Sequence, residues 1–257
     1  MTKLKTFEDL LAEGDAVPVD GWDFSWFDGR ATEERPSWGY SRLLAERMGV
    51  ATAALDLQTG GGEVLSGIPK PPKTLFATEG WLPNLAIAER ALMPLGGSVV
   101  QVANEADLPF DDDTFDLVTS RHPTYIHWDE IARVLRIGGT YLSQGIGAGT
   151  NRELYEAIVG PTPDDDSRSP RRAAAAAEAA GLTVVDLRSE ALSVEFFDIG
   201  AVVHFLRKVL WTVPGFTIER YRPQLERLHH RIELEGSFVC RSQRYLIDAR
   251  KREITQH

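Results

Sequence analysis

The chain has 257 residues, 43% of them hydrophobic and 26% charged, and 38 acidic against 28 basic side chains leave a formal charge of −10. That balance excludes a wholly disordered chain and sets the overall field against phosphate backbones and anionic lipid, so small or cationic partners fit better. A single cysteine, Cys240, excludes an internal disulfide and a Cys-based zinc or iron–sulfur centre. With no apolar run long enough for a bilayer and no signal-peptide core, a soluble protein of the reducing cytoplasm is expected.

In chain order, Gly21 to Tyr40 reads as an irregular segment crowded with Trp22, Trp26, Phe27, Trp38 and Tyr40, either packing on the core or covering a ligand. Ser41 to Met48 predicts a helix ending at Gly49. From Thr52 to Gly147, short β-rich runs alternate with helical patterns, the order of a parallel sheet with crossover helices. The predicted strands are Ala53 to Leu57, Thr74 to Thr78, Ser98 to Val102, Phe115 to Thr119 and Thr140 to Gln144. Leu85, Ala88 and Leu92 mark one helix, closed by Gly96, and Trp128, Ile131 and Leu135 mark another before Gly138 and Gly139.

Beyond the core, Gly160 to Arg172 reads as an exposed connector, and Ser169 with Pro170 opens an alanine-rich helix that Gly181 stops. Leu182 to Leu187 predicts a strand. Asp198 caps a helix striped by Ile199, Val202, Leu206 and Leu210, and a second helix carries Tyr221, Leu225, Leu228 and Ile232 before Gly236. Phe238 to Ala249 predicts a last strand, so residues 198–236 read as a helical insertion between the final strands. The division expected is a single domain with an N-terminal lid segment (1–50), a ligand-binding core (51–150) and this insertion.

The chemistry concentrates where the first core strand runs into glycines, Ala54-Leu55-Asp56-Leu57-Gln58-Thr59-Gly60-Gly61-Gly62-Glu63, followed by an expected short helix. A glycine turn lets a ligand approach the backbone. The spacing is not G-x-G-x-x-G, and Asp56 would oppose phosphates, so a dinucleotide is disfavoured and a ligand with an ammonium group is favoured. The next strand ends at Thr78-Glu79-Gly80, placing a carboxylate 23 positions after Asp56 where it can accept both hydroxyls of a ribose. After the third strand, Asn104, Glu105 and Ala106 offer an amide and backbone groups to an adenine edge. Ribose, adenine and an amino group together describe S-adenosylmethionine.

These residues resemble the class I S-adenosylmethionine-dependent methyltransferases, especially the small-molecule branch that includes the ubiquinone-biosynthesis-like enzymes. The matching pieces are Leu55 to Gly62, Ala77-Thr78-Glu79-Gly80, Ala106 to Val118, Glu130 to Thr140 and the tail Leu246 to Lys251. The resemblance implies a doubly wound α/β fold with a mostly parallel seven-stranded sheet, and methyl transfer to a small-molecule acceptor with S-adenosylhomocysteine as product and no metal. Two positions depart from the family: Gln58 stands where its first motif glycine falls, and Asn104 where it has aspartate. The implied cofactor residues are Asp56, Gln58, Thr59, Gly60, Gly62, Glu79, Gly80, Asn104, Glu105, Ala106 and Arg121. Arg30 is a candidate for the methionine carboxylate, with a surface salt bridge as its other reading.

In Ser120-Arg121-His122-Pro123-Thr124-Tyr125-Ile126-His127, His122 is the candidate catalytic residue, as a base or as a group that orients the acceptor; Tyr125 and His127 are the other candidate bases. Gln144, Gly145 and Asn151 are candidate acceptor contacts, and Trp26, Trp38 and Tyr40 candidate ring faces for a sulfonium or a planar acceptor. Phe196, Phe197, Phe205, Trp211 and Phe216 surround the helical insertion, as core or as acceptor lid, and His229 and His230 read as a solvated helix face. Two alternatives to a small-molecule enzyme stay open: methylation of an RNA base, which the charge opposes, and cofactor binding without catalysis.

Overall fold

A computed structural model of the protein describes residues 5–19 and 24–252; Trp22 of the aromatic segment lies outside them. In chain order the elements are α1 (Phe7–Ala16), β1 (Ala31–Glu33), α2 (Tyr40–Met48), β2 (Ala53–Leu57), β3 (Thr74–Glu79), α3 (Leu82–Leu92), β4 (Ser98–Gln101), β5 (Phe115–Arg121), α4 (Trp128–Val134), β6 (Leu135–Ile146), α5 (Arg152–Val159), α6 (Pro170–Ala179), β7 (Leu182–Phe196), α7 (Ile199–Lys208), α8 (Ile218–Glu235) and β8 (Phe238–Lys251). The chain divides into two compact units. One takes residues up to 35, 149–165 and 191–243; the other takes 36–148, 166–190 and those from 244 onward. β7 and β8 each have one half in either unit.

The second, larger unit is the α/β core. Among the described residues the sheet has eight strands in the order β1-β7-β8-β6-β5-β2-β3-β4, one more than the expected seven, the added edge strand being β1. β2 pairs in parallel with β3 on one side and β5 on the other, β3 with β4 and β5 with β6 are parallel, and β8 runs antiparallel to β6. Period-2 alternation splits the apolar residues between two faces. Leu55, Leu57, Val118, Tyr141 and Ile247 pack on one face with Ile131 of α4 and Ala177 of α6; Ala54, Leu117, Leu142 and Leu246 pack on the other with Leu44 and Met48 of α2. Both faces are covered, which is why β2 is buried along its whole length and reads as an apolar run broken by Asp56 alone. Because the chain moves outward from β2 through β3 and β4 and then returns to lay β5 and β6 on the other side of β2, the direction of winding reverses between β2 and β5, and a crevice opens at the carboxyl ends of these strands.

The predicted strands and helices of the core form, with three adjustments. Leu135 leaves the helix and pairs with Phe115 at the start of β6, so α4 is two turns long. The glycine turn leads into a single 3-10 turn at Leu65–Gly67 rather than an α-helix. Gly60 and Gly62 hold φ of 65° and 79°, and Pro69, Pro71 and Pro72 follow, leaving too few residues to nucleate a longer helix. β7 extends from the predicted Leu187 to Phe196. α6 opens as expected, with the Ser169 hydroxyl accepting from Arg172 N and Pro170 in the first turn.

The smaller unit has its own core, in which Leu10 and Leu11 of α1, Leu154 and Ile158 of α5, Val202, Val203 and Leu206 of α7 and Leu225, Leu228 and Ile232 of α8 are buried together. β1 pairs antiparallel with the far end of β7. Gly14 and Gly200 bring α1 and α7 into backbone contact, since a Cβ on Gly14 would overlap the Gly200 carbonyl. Asp198 caps α7 through Ala201 N, as its position predicts; Leu210, expected on the stripe, falls beyond the helix and is exposed. α1, β1 and α5 went unpredicted, the first despite a Thr6–Asp9 capping box.

Candidate functional site

The crevice of the core unit is a shallow cleft open to solvent, lined by Leu57 at the end of β2 and Gln58 after it, Thr78 of β3, Val102, Ala103, Asn104, Ala106 and Leu108 after β4, Tyr125 and His127 after β5, and Ile131 of α4. Four strands thus contribute to one opening. Three of the predicted cofactor residues, Gln58, Asn104 and Ala106, line it directly. Glu79 and Gly60 meet at the same edge: Glu79 Oε2 accepts from Gly60 N at 2.8 Å and Oε1 from Trp81 N at 2.7 Å. Each oxygen keeps a further acceptor direction for a hydroxyl donor. Gly80 packs where no side chain fits, because a Cβ there would lie 2.9 Å from the Val102 carbonyl oxygen and 3.2 Å from Asn104 Oδ1.

Asp56 is buried, and its partner is the Thr119 hydroxyl of β5, which donates to Oδ1 at 2.6 Å, in line with the register that sets Asp56 beside Thr119. Burial pushes its carboxyl up from 3.8 to about 6, against the pull of the Thr119 and Thr59 hydroxyls. No basic side chain pairs with it among the described residues. A buried carboxylate without a cation suits a ligand that brings one.

Gln58 adopts φ of 54°, the left-handed conformation in which a glycine would sit without strain. Its side chain reaches the loop after β5: Nε2 donates to the Tyr125 carbonyl at 2.6 Å, and Oε1 accepts from Thr124 N at 2.8 Å and the Thr124 hydroxyl at 3.0 Å. Asn104 Nδ2 in turn donates to Thr124 Oγ1 at 2.7 Å. Both departures from the family pattern therefore meet on Thr124, a residue sequence reading passed over. The hydroxyl has one hydrogen, given to Gln58, so position 104 must donate, which an amide does and a carboxylate does not.

The loop after β4 is pinned by α4. Glu130 Oε2 accepts from Leu108 N at 2.6 Å, and the Arg133 guanidinium donates to the Leu108 and Phe110 carbonyls while paired with Glu130 and Asp112. Those pairings hold the Glu130 carboxyl below its ordinary range. The spacing of Glu130 and Arg133, one turn apart, was the available signal for this contact.

His122 also takes a left-handed conformation, φ 56°, immediately after β5. Its N–H donates to the Gln144 carbonyl at 2.7 Å, and its ring Nε2 lies 2.9 Å from Gln144 Nε2. Gln144 Oε1 accepts from the Trp38 indole at 2.8 Å. Burial, with Arg121 and Arg244 nearby, lowers the imidazole to about 3. His127 lines the cleft with Nδ1 buried and without a hydrogen-bond partner among the described residues. Tyr40 is buried, its hydroxyl donating to the Ser120 carbonyl at 2.9 Å. Glu105 and Arg121 are exposed.

Other candidates fall in the smaller unit. Arg30 forms a bidentate pair with Asp198, both bonds 2.7 Å, contacts Glu13 at 3.2 Å, and stacks on Trp26 with its guanidinium carbon 3.9 Å from the ring centre. Asn151 begins α5 and accepts from the Cys240 thiol at 3.5 Å. His229 packs on Phe7 and faces Glu233. Trp211 is half-exposed.

A family model described as a methyltransferase domain matches residues 55–143, the span from β2 to β6 that builds the cleft. The chain carries a class I methyltransferase-like domain. Solved structures share this fold at low identity. A Bacillus halodurans protein proposed to be a methyltransferase is 19% identical over 84% of this chain and 99% of its own, with a TM-score of 0.61. The YcgJ protein of Bacillus subtilis is 17% identical over 83% of this chain and 98% of its own, TM-score 0.59. A Haloferax volcanii protein solved with the Trm112 methyltransferase activator is 20% identical over 98% of both chains, TM-score 0.52. Among curated proteins, none matches. Among the described residues of this methyltransferase-like chain, no cluster of His, Cys, Asp or Glu could hold a metal ion, and no helix is long and apolar enough to cross a membrane.

Proposed function

We propose that the protein is an S-adenosylmethionine-dependent methyltransferase acting on a small-molecule acceptor. What supports this reading is that a ribose-type acid, a cation-seeking acid and an adenine-type loop lie at the carboxyl ends of three neighbouring parallel strands, β3, β2 and β4, beside the cleft. Glu79 is held by two backbone N–H groups with acceptor capacity to spare, Asp56 is buried without a cation, and His127 Nδ1 is an orphaned nitrogen in the cleft wall. These features fit a ligand with a diol, an ammonium and a heterocycle. When bound, S-adenosylmethionine supplies a methyl group already activated by its sulfonium.

In this reading Glu79 takes the ribose hydroxyls, Asp56 the ammonium, and Asn104, Glu105 and Ala106 the adenine edge. Gln58, Thr59, Gly60, Gly62 and Gly80 shape the turn, and Arg121 supplies positive charge at the rim. Leu57, Val102, Leu108 and Ile131 give the cleft an apolar wall. Arg30 is already committed to Asp198 and Glu13. The main contribution of the protein is then positioning, since the methyl donor needs no further activation. His122 is the residue assigned to the acceptor, as an orienting group: an imidazole lowered to about 3 is a weak base at neutral pH.

Calorimetric titration with S-adenosylmethionine and S-adenosylhomocysteine, with NADH and Glu79→Ala as controls, tests the reading. Saturable binding of both sulfur nucleosides, lost in the variant, is expected. Binding of neither would reduce the reading to one about fold alone.

A further inference from the structure

We infer that Trp38 and Gln144 are positioning residues that hold His122 in its neutral Nδ1–H tautomer, so that the site offers the acceptor a hydrogen-bond donor and not a base. The inference rests on the reading of His122 as the acceptor-facing residue. A tryptophan N–H can only donate. The Gln144 atom 2.8 Å from Trp38 Nε1 must therefore be its carbonyl oxygen, which leaves the amide NH2 facing His122 Nε2 at 2.9 Å. An amide NH2 is a donor only, so Nε2 must present its lone pair, and the ring hydrogen sits on Nδ1. One direction of hydrogen bonding passes unbroken from Trp38 through Gln144 to His122.

Burial makes this direction rigid. Trp38 is 2% exposed and Gln144 is 3% exposed, so neither has water as an alternative partner. Reversing the amide would set two donors face to face at the indole, the costly arrangement of a buried unsatisfied polar group. The backbone locks the same pair. His122 N donates to the Gln144 carbonyl oxygen at 2.7 Å, which continues the β5–β6 ladder one residue past Arg121 and Gln144, and the left-handed φ of 56° turns the imidazole back onto the Gln144 side chain. Among the described residues nothing accepts from His122 Nδ1, and the ring is only half-buried.

The consequence concerns substrate class. A fixed Nδ1–H recognises an acceptor through a lone pair on oxygen or nitrogen, while the other ring nitrogen is occupied. An acceptor served by this site must accept from Nδ1–H with one lone pair and still hold a second for attack, as the oxygen of an ionised enol or phenol does and a neutral amine nitrogen does not. The methyl group then moves onto that lone pair as the carbon–sulfur bond breaks and its electrons remain on sulfur. A carboxylate at position 144 would reverse the relay, because it accepts from both neighbours.

The test is nitrogen NMR of the full chain labelled with 15N-histidine and free of cofactor, with the His122 signals assigned from their absence in His122→Asn. In the wild-type protein Nε2 is expected to show the unprotonated and Nδ1 the protonated imidazole pattern across pH 5 to 8. In Gln144→Glu, Nε2 should become protonated, and Trp38→Phe should give a mixture of tautomers. A protonated Nε2 in the wild type overturns the inference, even if neither variant folds; so does a pattern unchanged in Gln144→Glu. Because the readout requires no cofactor or acceptor, failure of the methyltransferase reading would appear separately, as absent binding in calorimetry.

Discussion

Asp56→Asn should make the protein more stable above pH 6 and less able to bind its cofactor. Burial raises the Asp56 carboxyl from 3.8 in an ordinary setting to about 6. At about 1.4 kcal/mol per tenfold change, that displacement makes the ionised form about 3 kcal/mol less favourable in the native protein than in the unfolded chain. The native state binds the proton more tightly, so it holds more protons than the unfolded chain between about pH 4 and 6, and stability falls as pH rises through that window. The stability due to this tighter proton binding is fully present below 3.8 and gone above about 6. An asparagine carries no charge to desolvate. It also exchanges a charge-assisted bond from the Thr119 hydroxyl for an ordinary one, a loss of about 1 kcal/mol. The net gain at pH 8 is about 1–2 kcal/mol, or a rise in Tm of about 3–6 °C. Thermal unfolding of both proteins at pH 4.5 and pH 8 checks this, with the difference shrinking at the lower pH. Loss of the carboxylate should also weaken S-adenosylmethionine binding by about tenfold or more. A variant less stable than the parent at pH 8, or one that keeps the parent's pH slope, would refute the assignment of Asp56 as an unpaired buried acid.

Glu79→Gln places an amide NH2 against either Gly60 N–H or Trp81 N–H, both of which now donate to the carboxylate. One buried donor is left unsatisfied, so unfolding titrations should show a loss of about 1–3 kcal/mol together with weaker nucleoside binding. Gly145→Ala would drive a Cβ into the Tyr245 ring, and overpacking of this kind costs about 1–3 kcal/mol; in a Tyr245→Ala background, itself destabilised by the lost ring, the same substitution should cost less, as a double-mutant cycle in the same assay would show. The Gln58–Thr124–Asn104 chain predicts coupling. Asn104→Asp should cost more stability in the parent than in a Gln58→Gly background, by about 0.5–1 kcal/mol in a double-mutant cycle, and Gln58→Gly alone should speed hydrogen exchange at the Thr124 amide.

The central strands of the core were readable because parallel strands buried on both faces appear as largely apolar runs bounded by turn residues, as β2 and β5 do, while the edge strand β4, only partly buried, was marked by its Val99-Val100 pair between Gly97 and the loop from Asn104. Glu79 and the loop from Asn104 were readable because the sheet carries strand ends to one edge by a rule of topology. The smaller unit was harder. Its core gathers residues from three separate stretches of chain, and its helix α1 rests on α7 through Gly14 and Gly200, a contact between positions far apart in sequence. Arg30 shows the same limit. Its charge suggested either a ligand carboxylate or a salt bridge, and the sequence offered no partner to decide between them; Asp198, 168 residues later, takes both arms of the guanidinium.

Gln58 and Asn104 illustrate why a motif read position by position gives an incomplete account. Taken singly, a glutamine in a left-handed conformation adds strain and bulk, and an asparagine in place of an aspartate merely removes charge. Joined through Thr124, each explains the other. The glutamine carbonyl uses the only hydroxyl hydrogen of Thr124, and this requires a donor at position 104, which asparagine supplies and an ionised aspartate would not. The glutamine amide then holds the Tyr125 carbonyl, tying the loop after β5 to the end of β2 across the mouth of the cleft. Three hydrogen bonds from one side chain offset its backbone strain, since each contributes on the order of 1 kcal/mol and the left-handed conformation costs about 1–2. A glutamine at a glycine-motif position is therefore consistent with a stable turn, because its side chain fixes the loop after β5 to the end of β2.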